Sequence, residues 1–555
     1  MSKNRLIYLP LGGAGEIGMN TYVYGYGPAD NERFILVDLG VTFPDMATSP
    51  GVDLIMADIA WLEDRIDRID GIFITHAHED HVGALGILFG RLNVPVYARP
   101  FTAAIARLKM EDQGRDPEAV NEVTPYPMMT EAGPFKVGFL PISHSIPESS
   151  ALVIDTPEGR LVHTGDFKTD PTPGVGEPFL PEVFRELAKP GIKALICDST
   201  NVFSPDPGRS EAGLIGPITE LIASREGLVA ATTFASNVAR VKTLAQAGVD
   251  AGRSVVLMGR AMKRMVAVAQ ATGVLTDFPP TVSIDDAGDI PRDSLMLLVT
   301  GSQGERRAGS AQLANGKYNG ITMRDGDMFL FSSKTIPGNE VSVAKVMNQF
   351  SEMGVDVVDD EGGKYHVSGH ANRPDLETLH GLLKPQILVP MHGEHRHLRA
   401  HAALGEARGI ASVVAPNGTM VSLSGNRPEI VEHIESGRSY LDGNQLIGAM
   451  DGIVRDRIRM AINGHVAVSL ILDENDALLG SAWVETHGLP EKAGAHDLAE
   501  FIEEGLDYQL DKATRKILSN DDAVEELVRR AVRKIGKDVL GKKPECKVMI
   551  SRLSP

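Results

Sequence analysis

The run Thr75-His76-Ala77-His78-Glu79-Asp80-His81 concentrates ionisable chemistry directly after an apolar strand predicted over 71–74. It packs three histidines and an aspartate into the six residues 76–81, a set costly to bury for structure alone. The bland alternative is a surface loop rich in histidine by chance. His76 and His78, two apart in an extended loop, point the same way. Asp80 and His81 then turn to a second point nearby. Imidazole and carboxylate donors suit zinc or manganese. Three more candidates end predicted strands: His144 in Pro-Ile-Ser-His, Asp166 in His-Thr-Gly-Asp and His392 in Val-Pro-Met-His. Alone, each reads as a turn or capping residue. Together with the first run they complete two ligand sets at strand C-terminal edges, where α/β sheets place their sites. One cation takes His76, His78 and His144; the other takes Asp80, His81 and His392; the short carboxylate of Asp166 bridges them. Two cations about 3.5–4 Å apart acidify water and clamp an anionic transition state, as in phosphodiester cleavage.

Several elements must position these residues. Hydrophobic periodicity predicts strands over 6–11, 21–26, 34–38, 71–75, 137–141, 151–155, 161–165 and 194–198, and helices over 59–67 and 82–92. Strands in quick succession imply sheet packed on sheet. After about residue 205 strand and helix alternate: strands 227–232, 254–258, 294–300, 328–332 and 355–358, helices 237–247, 261–271 and 340–353. That pattern makes a parallel α/β sheet. The first character returns with an apolar strand at 387–390, so the first domain is interrupted by an insertion. The last block, with strands 466–472 and 477–484 and helices from 497 onward, reads as a small α+β module. The expected boundaries are 1–205 and 366–430 for the interrupted domain, 206–365 for the insert, 431–458 for a linker and 459–555 for the C-terminal domain.

Gly13-Ala14-Gly15-Glu16-Ile17-Gly18 matches a dinucleotide fingerprint, and Asp38 falls at the distance of a ribose-binding acid. The fingerprint needs a helix start after the glycines to hold a pyrophosphate. Here Asn20-Thr21-Tyr22-Val23-Tyr24 follows, which is β-branched and aromatic, so the glycines are read as hairpin turns.

The chain has 555 residues, 55 Lys plus Arg against 74 Asp plus Glu, and a net charge of −19. That balance argues against broad electrostatic adhesion to nucleic acid or membrane and leaves room only for a local basic groove. Basic clusters at 260–264, at Arg306 and Arg307, and in a tail helix over 529–547 are read as solvated faces. Two cysteines, Cys197 and Cys546, exclude a disulfide framework and suit a reducing compartment. No apolar run reaches the ~20 residues of a membrane helix, and the N-terminus lacks signal-peptide features. A soluble cytoplasmic protein without a membrane partner is expected.

The His-x-His-x-Asp-His run with His144, Asp166 and Asp38 in Ile-Leu-Val-Asp-Leu-Gly resembles the metallo-β-lactamase superfamily. The α/β insert, followed by Ser368-Gly369-His370-Ala371 and Pro390-Met391-His392-Gly393, resembles its β-CASP nucleases. The opening 11–20, the stretch 332–340 and His366–Ala371 are together similar to the bacterial ribonuclease J family over essentially the full length. The resemblance implies an αββα metallo-β-lactamase sandwich interrupted by a parallel α/β β-CASP domain, with a small C-terminal α+β domain. It implies two divalent metals on His76, His78, Asp80, His81, His144, Asp166 and His392, with zinc first and manganese or magnesium as alternatives. Asp38 would orient a ligand histidine. Asp198, in Cys-Asp-Ser-Thr, would be the acidic motif where the insert begins, and His370 a general acid or phosphate ligand. Ser368, Gly369 and His370 form a polar turn able to cradle an anion. In the family this loop binds a nucleotide phosphate, with help from a loop matching Ala235, Ser236 and Asn237; His366 and Val367 are placed with it.

What the resemblance implies for function is a metal-dependent ribonuclease with 5′-to-3′ exonuclease activity favouring 5′-monophosphate RNA, and endonuclease activity beside it, in RNA processing and decay. Expected partners are single-stranded RNA, a second copy in a homodimer or homotetramer, and proteins of an RNA-degradation complex. The alternatives are a hydrolase of small esters, a DNA-processing β-CASP nuclease and a catalytically dead RNA scaffold. The long insert opposes the first, His392 at the last motif opposes the second, and the intact ligand set opposes the third. His395 and His397 are read as a solvated helix start. A structural calcium is conceivable on the loop carrying Met46, Gly51 and Asp53.

Overall fold

The computed structural model describes residues 4–360, 362–494 and 496–553. The chain divides into two units, one of residues 1–42 and 55–439, the other of 43–54 and 440–555. In the first unit, eight strands lie in the order Glu429–His433, Thr419–Ser422, Asn4–Gly12, Thr21–Pro28, Arg33–Val37, Ile69–Phe73, Val96–Ala98 and Val120–Glu122. A second sheet of seven runs Thr130–Ala132, Phe135–Pro141, Ser150–Thr156, Gly159–His163, Ala194–Asp198, Ile387–Met391 and Ala411–Ser412. Period-two alternation turns Leu6, Tyr8, Tyr22, Tyr24, Ile35 and Val37 of the first sheet onto Val137, Phe139, Leu152, Ile154 and Ile196 of the second. The second sheet's other face packs against Pro181–Leu187 and Arg373–Leu383 through Phe184, Leu187, Leu376, Leu379 and Leu383.

The insert forms a five-stranded, all-parallel sheet in the order Ser254–Leu257, Leu295–Val299, Val229–Thr232, Met328–Phe331 and Asp356–Val358. Its three inner strands, Leu295–Val299, Val229–Thr232 and Met328–Phe331, are buried along their whole length, as a sheet covered on both faces requires. The chain leaves the second sheet after Asp198 and returns along Ile387–Met391, parallel to the strand it left, with Asp198 opposite Met391. Pro390 is tolerated there because the outer neighbour pairs only with Ile387 and Leu388, so no partner awaits its missing N–H. The expected sandwich, inserted parallel domain and C-terminal α+β domain are what the chain forms.

Gly13, Gly15 and Gly18 all have positive φ, and strand Thr21–Pro28 follows them. With no helix N-terminus there, the turn reading of the glycine run holds. The helix expected over 59–67 is two short turns, Ala60–Glu63 and Ile66–Arg68. The stretch 431–458 carries strands Arg438–Asp442 and Gln445–Gly448 and the start of helix Ile453–Asn463.

In the second unit, Trp483–His487, His465–Leu472 and Glu545–Arg552 make a three-stranded sheet. Helices Leu498–Asp511 and Asp521–Leu540 pack on it through Ile502, Leu506, Val524 and Val528. The basic tail helix read over 529–547 ends at Gly541, which takes a left-handed C-cap. The chain beyond it is a strand, parallel to His465–Leu472. Among the described residues no helix is long and apolar enough to cross a membrane.

Candidate metal centre

Strand ends from both sheets converge on one edge. Val37 pairs in parallel with Phe73, so Asp38 lies beside the start of the histidine run. His163, Ile196 and Val389 are in parallel register across three neighbouring strands, which aligns the ends that carry Asp166, Asp198 and His392. Asp38 and His392 adopt left-handed backbone, φ +62° and +49°. Non-glycine residues hold such conformations only where the surroundings impose them.

Two groups of four side-chain donors gather there, His76, His78, His144 and Asp166 in one and Asp80, His81, Asp166 and His392 in the other, with Asp166, Asp198 and His370 as a smaller third; the ligand atoms of each lie within 4.8 Å of one another. Asp166 Oδ2 is common to both. It lies 3.9 Å from His76 Nε2 and 3.8 Å from His144 Nε2. It is 3.2 Å from His81 Nε2 and 3.4 Å from His392 Nε2. Asp80 Oδ2 completes the second group, 3.6 Å from His81 Nε2 and 3.8 Å from His392 Nε2.

The surrounding hydrogen bonds settle which nitrogens carry protons. Asp38 Oδ2 accepts from His81 Nδ1 at 2.7 Å, and Asp38 also accepts from the Thr75 N–H and hydroxyl. The Thr75 hydroxyl proton being committed to Asp38, its oxygen accepts from His76 Nδ1 at 3.0 Å. The Gly369 carbonyl accepts from His144 Nδ1 at 2.6 Å. Each of these imidazoles therefore presents an Nε2 lone pair to the centre when neutral. His76 and His144 Nε2 both face His78 Nδ1 at 3.1 Å. One proton on His78 could serve only one of them, whereas a cation serves all three. Burial pushes His76 and His144 well below the ordinary histidine range and His78 down to about 4, so they are neutral at pH 7. Burial also opposes charge on His81, but Asp166, Asp80 and Asp38 override it and raise its pKa well above the usual value. Asp166 Oδ1 is buried with no hydrogen-bond partner. Neutral imidazoles, convergent lone pairs and an unpaired buried carboxylate oxygen fit divalent cations.

Next to this centre, His370 Nδ1 lies 2.8 Å from Asp198 Oδ2 and 4.0 Å from Asp166 Oδ2. Burial disfavours its charge, yet Asp198, then Asp166 and Asp80, raise it to about 9. Asn201 Nδ2 donates to Ser368 Oγ at 2.8 Å and to the His370 carbonyl at 3.2 Å. Ser368 and His370 line a cleft of about 630 Å³ together with Lys168, Arg209, Ser333 and Lys334.

Family models cover most of the chain. "Metallo-beta-lactamase superfamily" matches residues 15–203, "Ribonuclease J, beta-CASP domain" 226–350, "Zn-dependent metallo-hydrolase RNA specificity domain" 363–416 and "Ribonuclease J C-terminal domain" 452–553. The chain is 42% identical to Ribonuclease J of Sinorhizobium meliloti, over 99% of this chain and 97% of that one. The chain belongs to the ribonuclease J family. With the family comes the enzyme class, a nuclease hydrolase that uses divalent metal. Ribonuclease J of Mycolicibacterium smegmatis is 34% identical over 94% of this chain and 93% of its own. A crystal structure of a protein of unknown function from Enterococcus faecalis V583 matches 75% of this chain and all of its own, with a TM-score of 0.52 and 16% identity, a likeness of fold.

The ribonuclease J fold brings the sequence-predicted ligands, Asp38, Asp198 and His370 together, with 366–370 beside them. Ala235, Ser236 and Asn237 do not line the cleft. Asn237 is the N-cap of helix Val238–Asp250. That helix reaches the loop through Arg240, which donates to His366 Nδ1 at 3.0 Å and to the Ser332 carbonyl and hydroxyl. Arg240 is fully buried and pairs one guanidinium edge, Nε and Nη2, with both carboxylate oxygens of Glu211. Arg240 and Glu211 escaped the sequence reading, as did Asn20, which touches both Asp80 and His392. An arginine on the apolar face of a predicted helix was the available signal for the first. His395 is exposed but His397 is buried against Phe203, so only the former is solvated. At the loop of Met46, Gly51 and Asp53, Asp53 Oδ2 accepts from Gly443 N–H. No three His, Cys, Asp or Glu side chains converge there among the described residues.

Proposed function

We propose that this chain is a ribonuclease that shortens single-stranded RNA from a 5′ monophosphate, one nucleotide at a time, and also cuts internally. His76, His78, His144 and Asp166 would hold one cation, and Asp80, His81, His392 and Asp166 the other. Zinc is the first candidate; manganese and magnesium serve the same donors. Divalent cations in such a site supply Lewis-acid charge for a phosphodiester and acidify water. Asp38 keeps His81 in the tautomer that offers Nε2. His370, held protonated by Asp198, gives its Nε2 proton to the departing 3′ oxygen as the phosphorus–oxygen bond breaks. Water supplies the new oxygen, so each product keeps its 5′ phosphate, ready for the next step.

One observation carries this reading. The loop proposed to hold the terminal phosphate, Ser368–His370, is hydrogen-bonded to a proposed metal ligand through the Gly369 carbonyl and His144 Nδ1. A phosphate held by Ser368 and the adjoining backbone N–H groups would sit a short, fixed distance from the cations, which sets a one-nucleotide step. His366 and Val367, pinned by Arg240, would stiffen that loop. Ala235, Ser236 and Asn237 would act on it from the start of the same helix. The proposed setting is the cytoplasm, in a homodimer or homotetramer, within RNA processing and decay and alongside partners of an RNA-degradation complex. The proposed division is 1–205 with 366–430, 206–365, 431–458 and 459–555.

The test is one internally labelled RNA offered as 5′ monophosphate and as 5′ triphosphate, with Asp80→Ala as control. The expected result is release of mononucleotides from the monophosphate form, lost in the variant. Equal mononucleotide release from both forms would overturn the phosphate-gated reading, and equal activity in the variant would overturn the site.

A further inference from the structure

Asn20 is fully buried and its side chain reaches three of the four residues proposed for the second cation. Its Nδ2 donates to the Asp80 carbonyl at 3.1 Å and lies 3.3 Å from Asp80 Oδ2 and 3.0 Å from His81 Nε2. Its Oδ1 accepts from the Tyr22 hydroxyl and faces His392 Nδ1, both at 2.7 Å. The amide cannot be turned over. The Asp80 carbonyl is only an acceptor, so the atom facing it is the NH2 group, and the atom facing His392 is the oxygen. An amide oxygen is likewise only an acceptor, so His392 carries its proton on Nδ1. A neutral His392 therefore presents the Nε2 lone pair to Asp80 and Asp166.

The backbone around Asn20 is built to hold this position. Asn20 N–H donates to the Asp80 carbonyl at 2.9 Å, and Gly40 N–H donates to the Asn20 carbonyl at 2.9 Å. A Cβ on Gly13 would lie 2.1 Å from Asn20 Oδ1, and one on Gly40 would lie 1.7 Å from the Asp80 carbonyl oxygen. Met19, just before it, takes a left-handed φ of +41°. The glycine-rich opening of the chain thus has a physical purpose, which is to let the main chain close tightly around this amide. The first group is held by other means, with His76 fixed through Thr75 and His144 through the Gly369 carbonyl.

We infer that Asn20 is the positioning residue of the second cation alone: it fixes the tautomer of His392 and the carboxylate of Asp80, and leaves the His76–His78–His144 set untouched. This rests on the two-cation reading proposed above. Its direct test is cation binding. Metal-free protein is titrated with Mn²⁺ and bound ion is counted by elemental analysis, wild type beside Asn20→Ala, with Tyr22→Phe as a packing control. Wild type is expected to bind two ions. Asn20→Ala is expected to keep the first within about twofold and to weaken the second by about 10–100-fold, the usual cost of removing a partner of a ligand histidine. Tyr22→Phe is expected to bind like wild type. Equal weakening of both ions, or of neither, in Asn20→Ala would overturn the inference. A wild type that binds a single ion would overturn the two-cation reading instead. Histidine ¹⁵N spectra of the wild type, with His392 assigned by His392→Gln, need no folded Asn20 variant. Protonated Nδ1 in the Mn²⁺-free protein and in its Zn²⁺ form is the expected state, and protonation at Nε2 alone would overturn the assignment.

Discussion

His370 sits where two influences oppose each other: burial disfavours its charge, and Asp198, hydrogen-bonded to Nδ1, restores it, leaving a pKa of about 9. A group raised in this way is protonated below that value and loses its proton as pH climbs through it. Activity that depends on the acid form therefore falls on the alkaline side. Asp198→Asn removes the main raising influence, so the alkaline limb of kcat should shift to lower pH. His370→Gln should lower kcat by about 10²–10⁴-fold, the usual contribution of a positioned acid, with bound metal unchanged. An unshifted limb in Asp198→Asn would contradict the pairing. The residues proposed as acid and ligands, and their convergence, were legible in the sequence because imidazoles and carboxylates at strand ends have few structural uses. Asn20 was not legible. An asparagine after glycines looks like any turn residue, and its decisive contact is with His392, 372 positions away.

Among the elements, the parallel strand Ile387–Met391 beside Ala194–Asp198 does most to assemble the centre, since it carries the chain from the insert back to the edge it left. Buried apolar strands of this kind were legible as short hydrophobic runs. Strand Glu545–Arg552 was not, although its alternation is clear in three dimensions: Val548 packs into the core while Lys547 and Met549 face out. Five basic residues between Arg529 and Lys537 masked the change from helix to strand that follows Gly541. The helix read over 59–67 broke because only Ile59 and Leu62 in that stretch are buried, leaving too little packing to hold a longer one. The insert is joined to the loop 366–370 by Arg240, which donates to His366 Nδ1 and is itself paired with buried Glu211, with Lys168 3.8 Å from Glu211. Arg240→Met strands a buried carboxylate and should cost about 3–5 kcal/mol, read by urea unfolding. A loss under about 1 kcal/mol would show that Lys168 alone satisfies Glu211.

As a whole molecule the chain is acidic, at −19, so attraction to RNA has to be local. The sandwich supplies the residues proposed as ligands, and the insert sits within the same unit. The interrupted topology was legible because strand-rich and alternating strand–helix segments differ in pattern. The strands within 431–458 were not, because Arg438–Asp442 and Gln445–Gly448 are short and bury only Ser439, which gives little burial signal. The most direct test of the account is to titrate metal-free protein with Mn²⁺ and follow bound ion and RNA hydrolysis in the same samples. The account predicts that hydrolysis rises with the second ion bound per chain, and that Asp166→Asn, which alters the one carboxylate common to both groups, weakens both ions and abolishes the rise. Full hydrolysis with a single ion bound, or two ions bound to a chain that leaves RNA intact, would contradict it.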